Sequence, residues 1–239
     1  TGWVQFGEVL HIADQAIVAG CATPMIIVMP DANTGRRGYF NDVWGEWRYE
    51  DFFFEELMPF VEKTYRIRAQ KRYRAVAGLS MGGGGTWHLG LRHPDRFASI
   101  TPVCAVSDLD AFPWTAGWGP LDKELMALTG YSRIVENASN QRVFVFHADE
   151  DDAVPVEASR RMAKAFEAAG LGERARYFEL PAVTHFAWDF AYRDASLFNR
   201  VREIRREAFP ERVVYSTHSP RYNQAYWLRI DRIDRGLAL

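Results

Sequence analysis

Arg74-Ala-Val-Ala-Gly-Leu-Ser-Met-Gly-Gly-Gly-Gly85 is the stretch from which the fold can be worked out. Arg74 to Leu79 is a short apolar run, the pattern of a buried strand. Gly82 to His93 carries the pattern of a helix that Pro94 stops. Between them Gly78-Leu79-Ser80-Met81-Gly82 reads G-x-S-x-G. The pentapeptide alone is a weak signal, but a strand running straight into it and a helix running straight out make it a strong one. A serine there sits on a tight turn with its hydroxyl above the sheet edge. The flanking glycines are required because neighbouring backbone comes too close for side chains. The helix N-terminus offers free N–H groups and a positive dipole end, so the Met81 N–H is a candidate oxyanion donor. No lysine follows the four glycines, which removes a Walker-type phosphate loop.

Outward from this stretch, strands and helices alternate, as in a mostly parallel sheet covered on both faces. Upstream, residues 5–19 read as a helix, Met25 to Met29 as a buried strand ended by Pro30, and Tyr49 to Arg66 as a helix that Pro59 should kink or split. Downstream, Phe97 to Val103, Arg142 to His147 and Ala175 to Leu180 read as strands. Val156 to Ala169 reads as an amphipathic helix with Met162, Ala165, Phe166 and Ala169 inward and Gly170 as its cap, and Ser196 to Ala208 as a further helix. Residues 107–140 are irregular, with a helical piece near 121–128. Arg212 to Thr217 and Ala225 to Ile233 read as alternating strands. The organisation expected is a domain over 1–210 followed by a β-type extension over 211–239.

A serine hydroxyl needs a base within reach, and the base needs an orienting partner. In this architecture the order is serine, acid, histidine, with acid and base in loops after later strands. His185 follows the strand ending at Leu180 and fits the base. His11 and His88 lie in expected helices, His93 caps one, His147 belongs to the acid loop and His218 to the terminal extension. The acid loop, His147-Ala-Asp-Glu-Asp-Asp-Ala-Val-Pro155, holds four carboxylates. The spacing H-x-x-x-D-x-x-V-P favours Asp151, with Asp149 as the alternative. Aromatic residues in two loops could wall a substrate: Tyr39, Phe40, Trp44 and Trp47 in one, Phe112, Trp114 and Trp118 in the other, with Trp188 close after His185. Such walls suit a phenolic acyl group or a sugar ring, while ordinary core packing is an equal reading.

At 239 residues with 48% apolar and 25% charged, the chain matches one large soluble domain. A net charge of −2 supplies no broad basic field for nucleic acid or an anionic membrane. The longest apolar run is too short to span a bilayer, and the given sequence opens without a signal-peptide pattern. Cys21 and Cys104 have no metal-type spacing, and Cys104 lies in a strand-like run, as a buried thiol would.

Tyr49-Glu-Asp-Phe, Glu56-Leu-Met-Pro59, Arg74 to Gly83 and Arg92-His-Pro-Asp-Arg-Phe97 together resemble the esterase D-like group of α/β-hydrolases. That group includes feruloyl and acetyl-xylan esterases, S-formylglutathione hydrolases, enterochelin esterases and mycolyltransferases. Gly78 to Gly85 is most similar to the bacterial feruloyl-esterase type. The resemblance implies an α/β-hydrolase fold and a serine carboxylesterase with Ser80, Asp151 and His185 as the triad. It implies no metal or organic cofactor and an ester substrate, on plant polysaccharides for a feruloyl or acetyl esterase, hence a secreted or periplasmic home. Two departures are expected to matter. The family's strand ending in His-Gly, whose following loop supplies a second oxyanion N–H, would precede Thr1. Ala187 stands where the family commonly has an aromatic residue. A serine peptidase of similar fold and a catalytically incompetent fragment acting as a binding module stay open as alternatives.

Overall fold

The computed structural model describes residues 2–31, 38–42, 44–112, 115–187 and 190–233. Four parallel strands form the central sheet: β1 (Ala75–Leu79), β2 (Ser99–Val103), β3 (Arg142–Ala148) and β4 (Ala175–Leu180), paired in that order. Helix α5 (Met81–Arg92) links β1 to β2 and helix α7 (Glu157–Ala168) links β3 to β4. Alternation along β3 shows why three layers form. Phe144 and Phe146 face one cluster with Val9 and Ala13 of α2 (Val9–Val18) and Leu197 and Phe198 of α8 (Ser196–Val201). Val143 and Val145 face the other, with Trp87 and Leu91 of α5 and Met162 and Phe166 of α7. Successive side chains of a strand point to opposite faces, so one seven-residue run nails down both layers. Pro102 cannot donate to the ladder, and the β2–β3 register is interrupted at 101–102.

Several expectations are corrected. The helix over 5–19 is two, α1 (Gly2–Gln5) and α2, parted where Glu8 takes a left-handed φ of 47°. Met25 to Met29 joins no strand among the described residues. Ile27 and Met29 pack on the core while Met25, Ile26 and Val28 are exposed. Tyr49 to Arg66 runs as α3 (Tyr49–Asp51), a π-helical stretch Phe52–Leu57 and α4 (Met58–Thr64). The wide turns precede Pro59, whose ring and missing N–H spoil the ordinary bond to Glu55. In the 107–140 region α6 (Pro120–Thr129) covers the expected helical piece, and Tyr131–Asn140 adds 3₁₀ turns kinked at Ile134. Ala169 is exposed rather than inward, since α7 closes at Ala168 and Gly170 turns the chain at φ 71°. Helix α8 stops at Val201, and the Arg205 guanidinium takes the Arg202 and Ile204 carbonyls.

The expected terminal strands shrink to a two-residue pair, β5 (Gln224–Ala225) with β6 (Leu228–Arg229). Residues 212–217 bond to side chains of the domain instead of to a strand. Asn137 brackets Ser216 through Nδ2 to its carbonyl (2.9 Å) and Oδ1 from its N–H (2.6 Å). Tyr215 donates to the Arg92 carbonyl at 2.9 Å. Further on, the Tyr222 hydroxyl donates to Glu50 at 3.1 Å, and Arg221 lies 3.6 Å from the same carboxylate. Glu50, 2% exposed, also meets His93 and His88 of the α5 side, so one buried acid ties the start of α3, the end of α5 and the terminal segment.

Candidate active site

β1 delivers Ser80 at its carboxyl end, and α5 begins at the next residue. Ser80 has φ 58° and ψ −119°, an unusual conformation for a side chain-bearing residue, held by its N–H on the Val103 carbonyl (2.9 Å) and by Gly84 N–H on its own carbonyl (3.0 Å). Gly78 is required beneath it. A Cβ there would overlap the Gly82 carbonyl and reach within 2.8 Å of Thr86 Oγ1. Met81 opens the helix, so its N–H belongs to the first-turn donors that have no intrahelical acceptor.

The loop after β3 carries Asp151 and the loop after β4 carries His185. His185 Nδ1 lies 2.8 and 2.9 Å from the two Asp151 carboxylate oxygens. The carboxylate can only accept, so Nδ1 holds the proton and Nε2 is left as the acceptor. Asp149, the alternative acid, is exposed, while the Asp151 side chain is fully buried. The Asp151 carboxylate also accepts from the Ala153 and Val154 N–H groups (2.9 and 2.8 Å). His147, fully buried, donates from Nε2 to the Val154 carbonyl (2.9 Å), stands 3.3 Å from Asp151 Oδ2, and takes Ser159 Oγ on Nδ1 (2.7 Å). The H-x-x-x-D-x-x-V spacing is therefore one hydrogen-bonded turn. Burial alone would raise the Asp151 pKa; the bonds from His147, His185, Val154 and Ala153 outweigh it and hold the acid ionised, well below the usual carboxylate range. Among the described residues Ser80 Oγ makes no hydrogen bond to His185, a looseness common in triads without substrate.

Cys104 is the buried thiol expected from the sequence, but its place beside Asp151 and His185 was not read there. It follows β2 with φ 43°, completely buried, and its sulfur lies with Asp151 and His185 donor atoms within 4.8 Å. Burial pushes its thiol up to about 12, so it stays protonated beside the carboxylate. These three groups are the one metal-type cluster among the described residues, but the short Asp151–His185 bond already occupies the space an ion would need. Of the aromatic residues proposed as substrate walls, Trp44 is 83% exposed and Trp118 half-buried. Phe112 instead packs with Val154 and Ala158, and Trp47 stacks on Tyr49. Trp114 and Trp188 lie outside the described residues. Ala187 is buried in the core. A cavity of about 250 Å³ lies elsewhere, between His93, Arg96 and the 221–226 segment.

A family model described as "Putative esterase" matches residues 1–197. The chain belongs to this esterase family. It is 32% identical over 112 residues to "Esterase Rv1288" of Mycobacterium tuberculosis, which covers 45% of the chain and 24% of that protein. It is 35% identical over 102 residues to an "Endo-1,4-beta-xylanase/feruloyl esterase" of Xylanibacter ruminicola, covering 41% of the chain and 14% of that protein. The chain thus spans a quarter or less of the length of these curated relatives. A solved ferulic acid esterase superposes with a TM-score of 0.67 at 26% identity, over 84% of this chain and 79% of its own. A second solved structure, labelled FAE, gives 0.51 at 23% identity over 78% and 68%. The esterase has the α/β-hydrolase fold, here with four strands of its sheet. No helix of the described residues is long and apolar enough to cross a membrane.

Acid should weaken this esterase through two of its buried carboxylates. Glu50 is raised by burial but lowered further by hydrogen bonds from His88 and His93, with a net shift well down, and Asp151 shifts the same way. Both are depressed in the folded state, so their stabilisation is complete above the unfolded value near about 4 and is lost as pH falls below it. Each adds a slope of about 1.4 kcal/mol per pH unit there. Urea unfolding should give a stability that already declines from pH 7 to 5, because burial lowers the pKa values of His88 and His218 and the unfolded chain takes up those protons first, and that falls steeply below 4. In Glu50→Gln the slope should be shallower by one group's share.

Proposed function

We propose that this esterase hydrolyses carboxylic esters through an acyl-enzyme on Ser80. The Asp151–His185 pair at the carboxyl edge of the sheet, beside the strained Ser80 turn, carries the reading. His185 Nε2 takes the Ser80 proton as Oγ bonds to the ester carbonyl carbon. The carbonyl electron pair moves onto oxygen, facing the Met81 N–H. His185 returns the proton to the leaving alcohol. Water, deprotonated by the same nitrogen, then releases the acid and restores Ser80. Asp151 keeps the proton on Nδ1 and balances the imidazolium. No step calls for a metal or organic cofactor.

For substrate we propose aromatic-acyl or acetyl esters of plant cell-wall polysaccharides, in a secreted setting. The support is the relative named xylanase/feruloyl esterase, the neighbour named ferulic acid esterase and the exposed Trp44 on the loop beside the site. The test compares methyl ferulate, p-nitrophenyl acetate and a peptide p-nitroanilide. Turnover of the esters with at least a hundredfold preference over the anilide is expected. Ferulate favoured over acetate would support the aromatic acyl group. Anilide cleavage at comparable kcat/KM would move the chain to the peptidase reading.

A further inference from the structure

One polar group outside the triad is aimed at the start of α5. Tyr39 lies lengthwise on that helix. A Cβ at Gly85 would stand 2.7 Å from Tyr39 Cβ and Cγ, and a Cβ at Gly82 would stand 3.6 Å from the Tyr39 hydroxyl oxygen. The side chain therefore enters beside Gly85 and runs toward the helix N-terminus. Its hydroxyl ends at the first turn, where Met81 and Gly82 present their N–H groups. Two glycines spaced three apart on α5 are what let an aromatic ring lie this close.

The segment around Tyr39 is built rather than loose. Trp47 Nε1 donates to the Gly38 carbonyl (2.9 Å), Asp42 N–H to the Trp47 carbonyl (2.8 Å), and Asn41 bridges Arg48. Asn41 Oδ1 accepts from the Glu50 N–H at 2.8 Å and thereby anchors the segment on α3. The buried Tyr49 ring meets Tyr39 edge-on at 5.4 Å. With all this support the Tyr39 hydroxyl makes no hydrogen bond to another described residue. Burial, with the Asp31 charge adding to it, pushes its pKa up, so the group is a protonated donor at neutral pH.

We propose that the Tyr39 O–H donates a hydrogen bond to the oxyanion formed when Ser80 attacks the ester, beside the Met81 N–H. This rests on the Ser80 acyl-enzyme reading. In the ester the carbonyl oxygen carries a partial charge; once the Ser80 Oγ–C bond forms, the π pair resides on that oxygen as a full charge. A donor held ready at that point acts on the charged state far more than on the ester. Removing one such donor typically lowers kcat about 10²–10³-fold.

Tyr39→Phe keeps the ring against Gly82 and Gly85 and deletes only the hydroxyl. On p-nitrophenyl acetate its kcat should fall about 10²–10³-fold, with KM nearly unchanged and the thermal midpoint close to the unsubstituted protein's. A trifluoromethyl ketone, which adds Ser80 to form a tetrahedral oxyanion, should bind more weakly by a similar factor, while the product acid binds equally well. An unchanged kcat and ketone affinity in a folded Tyr39→Phe would overturn the donor role, leaving Tyr39 as packing. Fluorophosphonate labelling of the unsubstituted protein separates the two claims. If Ser80 labels and Tyr39→Phe is silent, only the donor fails; if Ser80 never labels, the acyl-enzyme reading fails and takes the donor with it.

Discussion

Ser80→Ala is expected to abolish both covalent labelling by a fluorophosphonate and ester hydrolysis, with kcat falling by at least about 10⁴-fold. The substitution removes one oxygen at a surface turn. The strain at φ 58° remains, as do the backbone bonds from Ser80 N–H to Val103 and from Gly84 to the residue 80 carbonyl. Its unfolding midpoint should therefore stay within a few degrees of the parent. That pairing of lost chemistry with kept fold is the informative outcome. Residual turnover within tenfold of the parent would show that another group attacks the ester. The activity left in the variant would be that of the Met81 donor and substrate binding acting on water, about 10³–10⁴ over the uncatalysed rate in comparable triads.

Asp151→Asn should cost nearly as much activity and, unlike Ser80→Ala, also cost stability. The carboxylate accepts from His185, Ala153 and Val154 and faces His147, all from a fully buried position. An amide can accept through one oxygen only. Its NH₂ must then face either the two backbone N–H groups or the His185 ring. If it faces the ring, Nδ1 gives up its proton to accept from the amide, the proton moves to Nε2, and the base is lost, worth about 10⁴ in kcat. If it faces the backbone, the N–H of the buried Val154 loses its acceptor at about 1–3 kcal/mol, and that of the exposed Ala153 at less. Measuring kcat and urea stability together distinguishes these. Asp149→Asn, on an exposed side chain, should leave both within a factor of two. Activity lost in Asp149→Asn and kept in Asp151→Asn would reassign the acid.

The strained turn at Ser80 was legible because its constraints are local: a strand, two glycines and a helix start within a dozen residues. His185 and Asp151 were reachable through chain order, since parallel strands place their following loops at one edge. The tie between His147, Asp151 and Val154 was visible as a spacing, but its hydrogen bonds were not. Cys104 was legible as a buried thiol, but nothing in an apolar run says which side chain will end beside a carboxylate from another loop. Met25 to Met29 misled for a related reason. Its residues have the composition of a strand, and composition does not supply the partner backbone that makes one. The terminal residues misled in the opposite way: Asn137 satisfies the Ser216 backbone from 79 residues away and the Tyr215 hydroxyl donates to the Arg92 carbonyl across 123, which no local pattern announces.

Glu50 and Tyr222 are 172 residues apart along the chain, and Tyr215 reaches Arg92 across 123. A ribosome making this protein delivers helix α5 long before the residues that finish its polar flank. During that interval Glu50, His88 and His93 wait without Tyr222 or Arg221, and the helix end they hold is free to fray. Contacts of such high sequence separation slow folding, and those of Glu50 to this segment form only after Tyr222 has emerged. Helix α5 is thus made well before the contacts that lock its end.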